Sequence, residues 1–110
     1  MNFYIGNSLD EVDINAENVE FSDELIEFIY KTDNQVKFEM NKLYEINPYD
    51  DVEVSKDELQ DIIQICNRIL DSAVLEGYKD EREGIQMIND LIELGQEALG
   101  RDMGLVSIGD

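Results

Sequence analysis

The sequence contains no histidine and no tryptophan, and only one cysteine and one proline among its 110 residues. Without imidazole, the chain lacks the commonest general base, the usual partner of a catalytic thiol and the nitrogen ligands of zinc sites. A single cysteine cannot form an intramolecular disulfide, and Cys66 lies in an apolar helical stripe that favours a buried, structural thiol. These absences predict a protein that is not an enzyme and holds no metal.

Basic residues and long apolar runs are scarce as well. Eight Lys and Arg are scattered along the chain, which does not fit a nucleic-acid-binding footprint. No phosphate-binding glycine loop is present, no stretch reaches membrane-spanning length, and Met1–Ile5 lacks the basic start and apolar run of a signal peptide. We therefore expect a cytoplasmic protein with no cofactor and no direct contact with nucleic acid or membranes.

The abundant feature is negative charge, because 27 Asp and Glu give a net charge of −19. Apolar residues still make up 43% of the chain, so we expect one folded domain over residues 1–110 rather than a disordered one. Such a charge attracts cationic partners and accelerates their encounter. Solubility alone and adaptation to high salt are the two plainer explanations of the same composition.

Capping residues mark the starts of three predicted helices. Ser22, Ser55 and Asp80 each precede a stretch with apolar residues at helical spacing. The first helix is predicted to end near residues 32–34, the second at Gly77 and the third at Gly100, and the last two should pack antiparallel. The predicted buried stripes are Leu25, Ile26, Ile29 and Tyr30 in the first helix, Leu59, Ile62, Ile63, Cys66, Ile69, Leu70, Ala73 and Val74 in the second, and Ile85, Ile88, Leu91, Ile92, Gly95, Ala98 and Leu99 in the third.

Short β-strands are predicted near both ends of the chain. Residues 2–6 and the β-branched tail 104–109 can pair in a small sheet, and Val52–Val54 fits a third short strand. Residues 35–47 fit a helix or a strand, with a helix around 40–45 slightly favoured. Residues 9–20 are predicted to be irregular and solvated, anchored by Leu9, Val12, Ile14 and Val19. The predicted fold class is α+β: mainly helical, with antiparallel helices and a small sheet formed by the N- and C-terminal segments.

Aromatic and acidic residues concentrate around the only proline. Tyrosine offers apolar area with a polar tip, and carboxylates accept charge-assisted hydrogen bonds from Arg or Lys. Such a cluster can bind a basic partner, although tyrosines packed on the core beside solvated acids would give the same pattern. The candidate binding residues are Tyr44, Glu45, Tyr49, Asp50, Asp51 and Glu53, with Asp57 and Asp61 on the helix that follows.

A calcium-loop spacing also occurs in the acidic segment. Asp13, Asn15, Glu17 and Glu24 stand at positions one, three, five and twelve of an EF-hand-like loop. Position six is Asn18 where such a loop needs glycine, and no helix is predicted before it. We interpret the match as chance in an acid-rich stretch.

Several segments resemble a group of small bacterial immunity proteins, which are encoded beside polymorphic or contact-dependent growth-inhibition toxins. The resemblance lies in residues 2–6 (NFYIG), 21–25 (FSDEL), 47–51 (NPYDD) and 104–110 (GLVSIGD). It implies a cytoplasmic inhibitor that binds the C-terminal domain of one cognate toxin. Among toxins, a basic nuclease would fit the negative charge of this chain best. The resemblance implies no particular site residues and no oligomeric state.

Two other functions fit the residues. An acidic mimic of nucleic acid could inhibit DNA-binding proteins, with carboxylates imitating phosphates. A carboxylate-dependent metal enzyme is the third possibility. A carboxylate pair can do acid–base work when the two pKa values differ, but among 27 acids close pairs such as Asp50 and Asp51 arise by chance.

Overall fold

Both ends of the chain lie side by side in one antiparallel sheet. The computed structural model describes residues 1–109. Its strands are β1 (Asn2–Ile5), β2 (Asn18–Glu20), β3 (Val52–Val54) and β4 (Leu105–Ile108), in the sheet order β2-β1-β4-β3. Its helices are α1 (Asp23–Lys31), α2 (Asn41–Tyr44), α3 (Lys56–Ser72) and α4 (Glu81–Gly100), with 3-10 turns at Leu9–Glu11, Asp33–Gln35 and Val74–Gly77. The predicted α+β class is confirmed, as is the pairing of the two terminal segments.

The three predicted helix starts are correct. The Ser22 hydroxyl accepts a hydrogen bond from the Leu25 N–H, and the Ser55 hydroxyl accepts one from the Glu58 N–H, each at 3.2 Å. The Asp80 carboxylate accepts the Glu83 N–H, also at 3.2 Å. Because each cap satisfies a backbone N–H that has no partner inside the helix, these starts are encoded locally.

The main core lies between one face of the sheet and the helices. Because alternate strand residues point to opposite faces, Phe3 and Leu105 point inward together with Val54. The Phe3 ring meets Phe21 edge to face at 6.1 Å, immediately before α1. Helix α4 packs on β1 and β2, and α3 packs on α4.

Gly95 determines how closely α3 and α4 approach. A Cβ placed on Gly95 would lie 3.0 Å from Ile63 Cδ1 and 3.1 Å from Leu59 Cδ1. The start of α3 therefore faces the end of α4, which confirms the predicted antiparallel packing. Cys66 is fully buried in this core, as predicted.

The second predicted helix ends earlier than expected. Helix α3 stops at Ser72, and Ala73 adopts a left-handed conformation with φ 61°, whereas Gly77 was predicted to end the helix. The early turn lets Leu75 and Tyr78 pack against α4, where both contact the position of Gly84. Ala73 is consequently exposed rather than part of the buried stripe.

The predicted apolar stripes are correct in most positions and wrong in a few. Tyr30 is 63% exposed and Ile85 37% exposed, although both were predicted to be buried. Ile65, Met87 and Leu94 are buried in the core although the stripes omitted them. Helix α2 confirms the helical interpretation of residues 40–45.

Residues 9–20 are more ordered than predicted. They contain a 3-10 turn and strand β2, which pairs with β1 in the register Asn2–Glu20, Phe3–Val19 and Tyr4–Asn18. Leu9 is 41% exposed and Ile14 68% exposed, so neither anchors the segment to the core as predicted. Val19 packs against the core.

Candidate partner-binding surface

The outer face of the sheet carries a second, smaller buried cluster. Strand alternation places Tyr4, Val106 and Glu53 in one row across this face, with Tyr4 paired to Val106 and Val106 paired to Glu53. Tyr4 and Val106 are buried, yet neither belongs to the main core. Another segment of the chain must therefore cover them.

That cover is the connection between β1 and β2, residues 6–17. The Glu53 carboxylate accepts a hydrogen bond from the Leu9 N–H at 2.8 Å, which ties the connection to β3. The Tyr4 hydroxyl lies 3.5 Å from the Ile14 carbonyl oxygen, to which it donates. Val12 lies near Val106 beside Gly6, where an added Cβ would lie 3.3 Å from Val12 Cγ2 and 3.6 Å from Val106 Cγ2.

The turn at residues 47–51 borders the same face. The Asn47 side chain shapes it, because its carbonyl oxygen accepts the Tyr49 N–H at 2.9 Å and its amide donates to Asp50 at 3.0 Å. Asp51 accepts the Gly109 N–H at 3.0 Å, which attaches the turn to the end of β4. A Cβ on Gly109 would lie 2.5 Å from the Tyr49 carbonyl carbon, so only glycine allows this approach.

We call the resulting area the acidic sheet surface: the outer face of the sheet with residues 6–14 and 47–51 around it. Residues 1–30, 43–55 and 102–109 contain no Lys or Arg at all. None of the carboxylates on this surface forms an ion pair within residues 1–109. The exposed carboxylates are Asp10, Glu11, Asp13, Glu20, Asp50, Asp51 and Glu53.

Basic residues are engaged elsewhere. Five of the eight form ion pairs within the described part of the chain, and Arg68 lies over the Phe38 ring, 5.7 Å from its centroid. The hydrogen bonds that do reach the surface carboxylates come from neutral N–H groups, which leave the negative charge uncompensated. The ion-paired bases are Lys31, Lys42, Lys56, Lys79 and Arg101.

Exposed apolar side chains share this surface with the acids. Ile14 is 68% exposed, Tyr49 67% and Leu9 41%, and these are three of the five large apolar side chains that the described chain exposes. Single exposed apolar residues are ordinary on a protein surface. Three on one acidic face are a feature of binding sites, where apolar anchors are ringed by polar groups.

The structure divides the predicted binding cluster into three places. Tyr49, Asp50, Asp51 and Glu53 lie on the acidic sheet surface. Tyr44 and Glu45 lie at the end of α2, where the Tyr44 ring meets Tyr30 edge to face at 5.3 Å.

The remaining two predicted residues lie on α3. Asp61 is half-buried and forms an ion pair with Lys42 at 2.5 Å, so its charge is already partnered. Asp57 is exposed in the first turn, where a negative charge stabilises the helix dipole. Ile14 and Leu9 were missed as contact residues, and their only sequence signal was their place in a segment otherwise full of acids.

The spacing that resembles a calcium loop is not assembled into one. Asp13 accepts the Asn15 N–H at 2.9 Å, while Glu24 lies in α1 and pairs with Lys79. Within residues 1–109, no group of three or more potential ligands is arranged to hold a metal ion.

The only thiol, Cys66, is buried and unreactive at neutral pH. Burial raises the pKa of Cys66 to about 12, which keeps it protonated at neutral pH.

No helix among the described residues combines the length and apolar character needed to cross a membrane.

Comparison of the chain with known protein families, curated proteins and solved structures gives no match. The function of the protein is therefore inferred from the acidic sheet surface.

Proposed function

We propose that this protein is a cytoplasmic immunity protein, without catalytic activity of its own, that binds the basic C-terminal domain of a cognate toxin and neutralises it by covering the active site or an adjacent surface. The observation that supports the proposal is the acidic sheet surface, where unpaired carboxylates surround exposed Ile14, Tyr49 and Leu9. A nuclease toxin fits best, because a surface that holds phosphates is basic.

The two components of this surface contribute to different steps of binding. Unpaired carboxylates attract a basic partner over about 10 Å or more and raise the association rate, an effect that salt weakens. Apolar anchors buried in the complex slow dissociation, because a few such residues supply most of the binding energy. A tight inhibitor needs both a fast encounter and a long residence time.

The apolar anchors also favour a specific inhibitor over an acidic mimic of nucleic acid. A mimic needs carboxylates at phosphate-like spacing and gains nothing specific from an exposed isoleucine. Ile14, at 68% exposure among acids, therefore supports recognition of one protein surface.

Co-expression tests the proposal directly. The toxic C-terminal domain encoded beside this gene should be tolerated by cells only when this protein is present, and the two should co-purify. If growth is not rescued and no complex forms, the proposal is wrong. Inhibition of several unrelated DNA-binding proteins with steep salt dependence would instead support the mimic.

A charge-reversal pair locates the interaction on the acidic sheet surface. Asp10 and Glu11 are exposed, and neither side chain forms a hydrogen bond within residues 1–109, so Asp10→Lys with Glu11→Lys should leave the fold intact. We expect this variant to associate with the toxin domain about tenfold more slowly at low salt.

The matched control is Asp71→Lys with Glu76→Lys, which changes the net charge by the same amount. Both residues are exposed near the C-terminal end of α3, a 17-residue helix roughly 25 Å long that begins beside β3. The control should change the association rate by less than about threefold. Equal slowing by both variants would show that only the net charge matters.

A further inference from the structure

Two tyrosines form a separate aromatic feature on the helical side of the molecule. Tyr30, in the last turn of α1, is 63% exposed, and its ring meets the half-buried Tyr44 ring at a centroid distance of 5.3 Å and an interplanar angle of 79°. We call these two residues the tyrosine pair. Neither hydroxyl has a hydrogen-bond partner within residues 1–109.

Three carboxylates lie close to the tyrosine pair along the chain: Glu45 follows Tyr44, Asp33 follows the end of α1 that carries Tyr30, and Glu39 precedes α2. Partial burial and then the charges of Asp33 and Glu45 raise the pKa of Tyr44, which agrees with this placement. None of the three carboxylates forms an ion pair in the described part of the chain.

The neighbouring bases do not neutralise this site. Lys31 follows Tyr30 in sequence but pairs with Glu27 at 2.9 Å, and Lys42 pairs with Asp61. Lys37 lines a groove with Ser72 and Val74 near the end of α3. The tyrosine pair is therefore an exposed aromatic surface bordered by negative charge that has no internal counter-ion.

We propose that the tyrosine pair, with Asp33, Glu39 and Glu45, receives an arginine side chain of a protein partner. A guanidinium stacks on an aromatic face and donates several hydrogen bonds to carboxylates in its own plane, so it can satisfy both components of the site together. A lysine ammonium is a compact, strongly hydrated charge and satisfies them less well. This site is a second contact region in addition to the acidic sheet surface. Only the identity of the partner rests on the proposed function.

An amino-acid titration of the free protein tests the site without any toxin. The probes are N-acetyl-arginine-N-methylamide, the corresponding lysine compound and the neutral citrulline compound, followed through the ring NMR signals of Tyr30, Tyr44 and Tyr78. We expect saturable shifts of the tyrosine pair with the arginine compound, about threefold weaker binding of the lysine compound and no saturation with citrulline. Tyr78, which is buried against the Phe28 ring and lies outside both proposed contact regions, is the internal control.

Substitution of Tyr30 separates ring binding from general attraction. Tyr30→Ala should weaken binding of the arginine compound about threefold, while Tyr30→Phe, which keeps the ring, should stay within about 1.5-fold of the original. Equal shifts at Tyr78 and Tyr30, equal binding of arginine and lysine, or no loss in Tyr30→Ala would each overturn the proposal.

The same variants tell the two proposals apart. If the arginine compound does not bind the tyrosine pair and both Tyr30 variants still form the toxin complex normally, this site is rejected and the proposed function is kept. Arginine binding at the tyrosine pair without any toxin complex keeps this site and rejects the proposed function.

Discussion

The carboxylate of Glu53 on β3 accepts a hydrogen bond from the backbone N–H of Leu9, 44 residues earlier in the chain, at 2.8 Å. This bond joins the connection between β1 and β2 to the opposite edge of the sheet. It holds the covering segment over Tyr4 and Val106, and it keeps Leu9 and Ile14 presented to solvent.

Glu53→Ala should loosen this covering segment without unfolding the sheet. The lost hydrogen bond destabilises the segment by about 1 kcal/mol, which corresponds to about fivefold faster amide exchange at Leu9. Hydrogen-exchange NMR measures this change directly. Glu53→Gln keeps an acceptor oxygen and should exchange almost as slowly as the original protein; equally fast exchange in both variants would assign the effect to charge instead.

Truncating the exposed anchors should affect binding and not folding. Ile14→Ser and Tyr49→Ala remove side chains that are about two-thirds exposed, so each should change the free energy of unfolding by less than about 0.5 kcal/mol. Each should weaken a toxin complex by about tenfold or more, as loss of an interface anchor does. Calorimetric titration with the toxin domain measures the affinity.

Ile85→Ser provides the comparison for these two variants. Ile85 is 37% exposed on α4, away from the acidic sheet surface, and its substitution should leave the affinity unchanged. A loss as large as that in Ile14→Ser would mean that the anchors have been placed on the wrong face.

The buried thiol should make the protein less stable in alkaline solution. Burial raises the pKa of Cys66 from 9.0 to about 12, so the folded state keeps a proton that the unfolded chain releases above about pH 9. Stability from this group is complete below pH 9 and falls between pH 9 and 12, by about 1.4 kcal/mol per pH unit.

Urea unfolding of the original protein and of Cys66→Ala at pH 8 and pH 10.5 isolates this contribution. Tyrosine and lysine titration affects both proteins alike, so the difference between them belongs to the thiol. The original protein should lose more stability than Cys66→Ala across this range. Parallel losses in the two proteins would show that Cys66 ionises while the protein remains folded.

Moderate salt should stabilise the protein. A net charge of −19 produces self-repulsion in the folded state, and salt screens it. We expect the melting temperature to rise between about 10 mM and 200 mM sodium chloride, where the Debye length falls from roughly 30 Å to less than 10 Å. A melting temperature that stays constant would show that the charges are spread widely enough to repel one another little.

Local signals predicted the helix starts, because a cap is a contact between residues only three apart. Ser22, Ser55 and Asp80 all cap as expected. The end of α3 was not predictable in the same way. Glycine is the easier residue in a left-handed conformation, but Ala73 adopts it so that Leu75 and Tyr78 can reach α4. That outcome is decided by packing between distant segments.

The candidate surface was predictable only where it is local. Asn47 and Pro48 predict the turn that presents Tyr49, Asp50 and Asp51. The predicted strand Val52–Val54 contains Glu53. Strand β2 was missed because Asn18–Glu20 has little apolar character, and its pairing with β1 supplies its order. Ile14 was misjudged because periodicity does not show whether an apolar residue in an acidic loop points inward or outward.

The sheet imposes an order on the assembly of this molecule. Its two central strands pair Asn2 with Ile108, residues that lie far apart in the sequence. Contacts this distant in sequence form slowly, because a long loop must close before they contribute any stability. The helices can form from local contacts, but the face that bears Glu53 and Val106 exists only once β4 has paired with both β1 and β3, so the acidic sheet surface is completed late in folding.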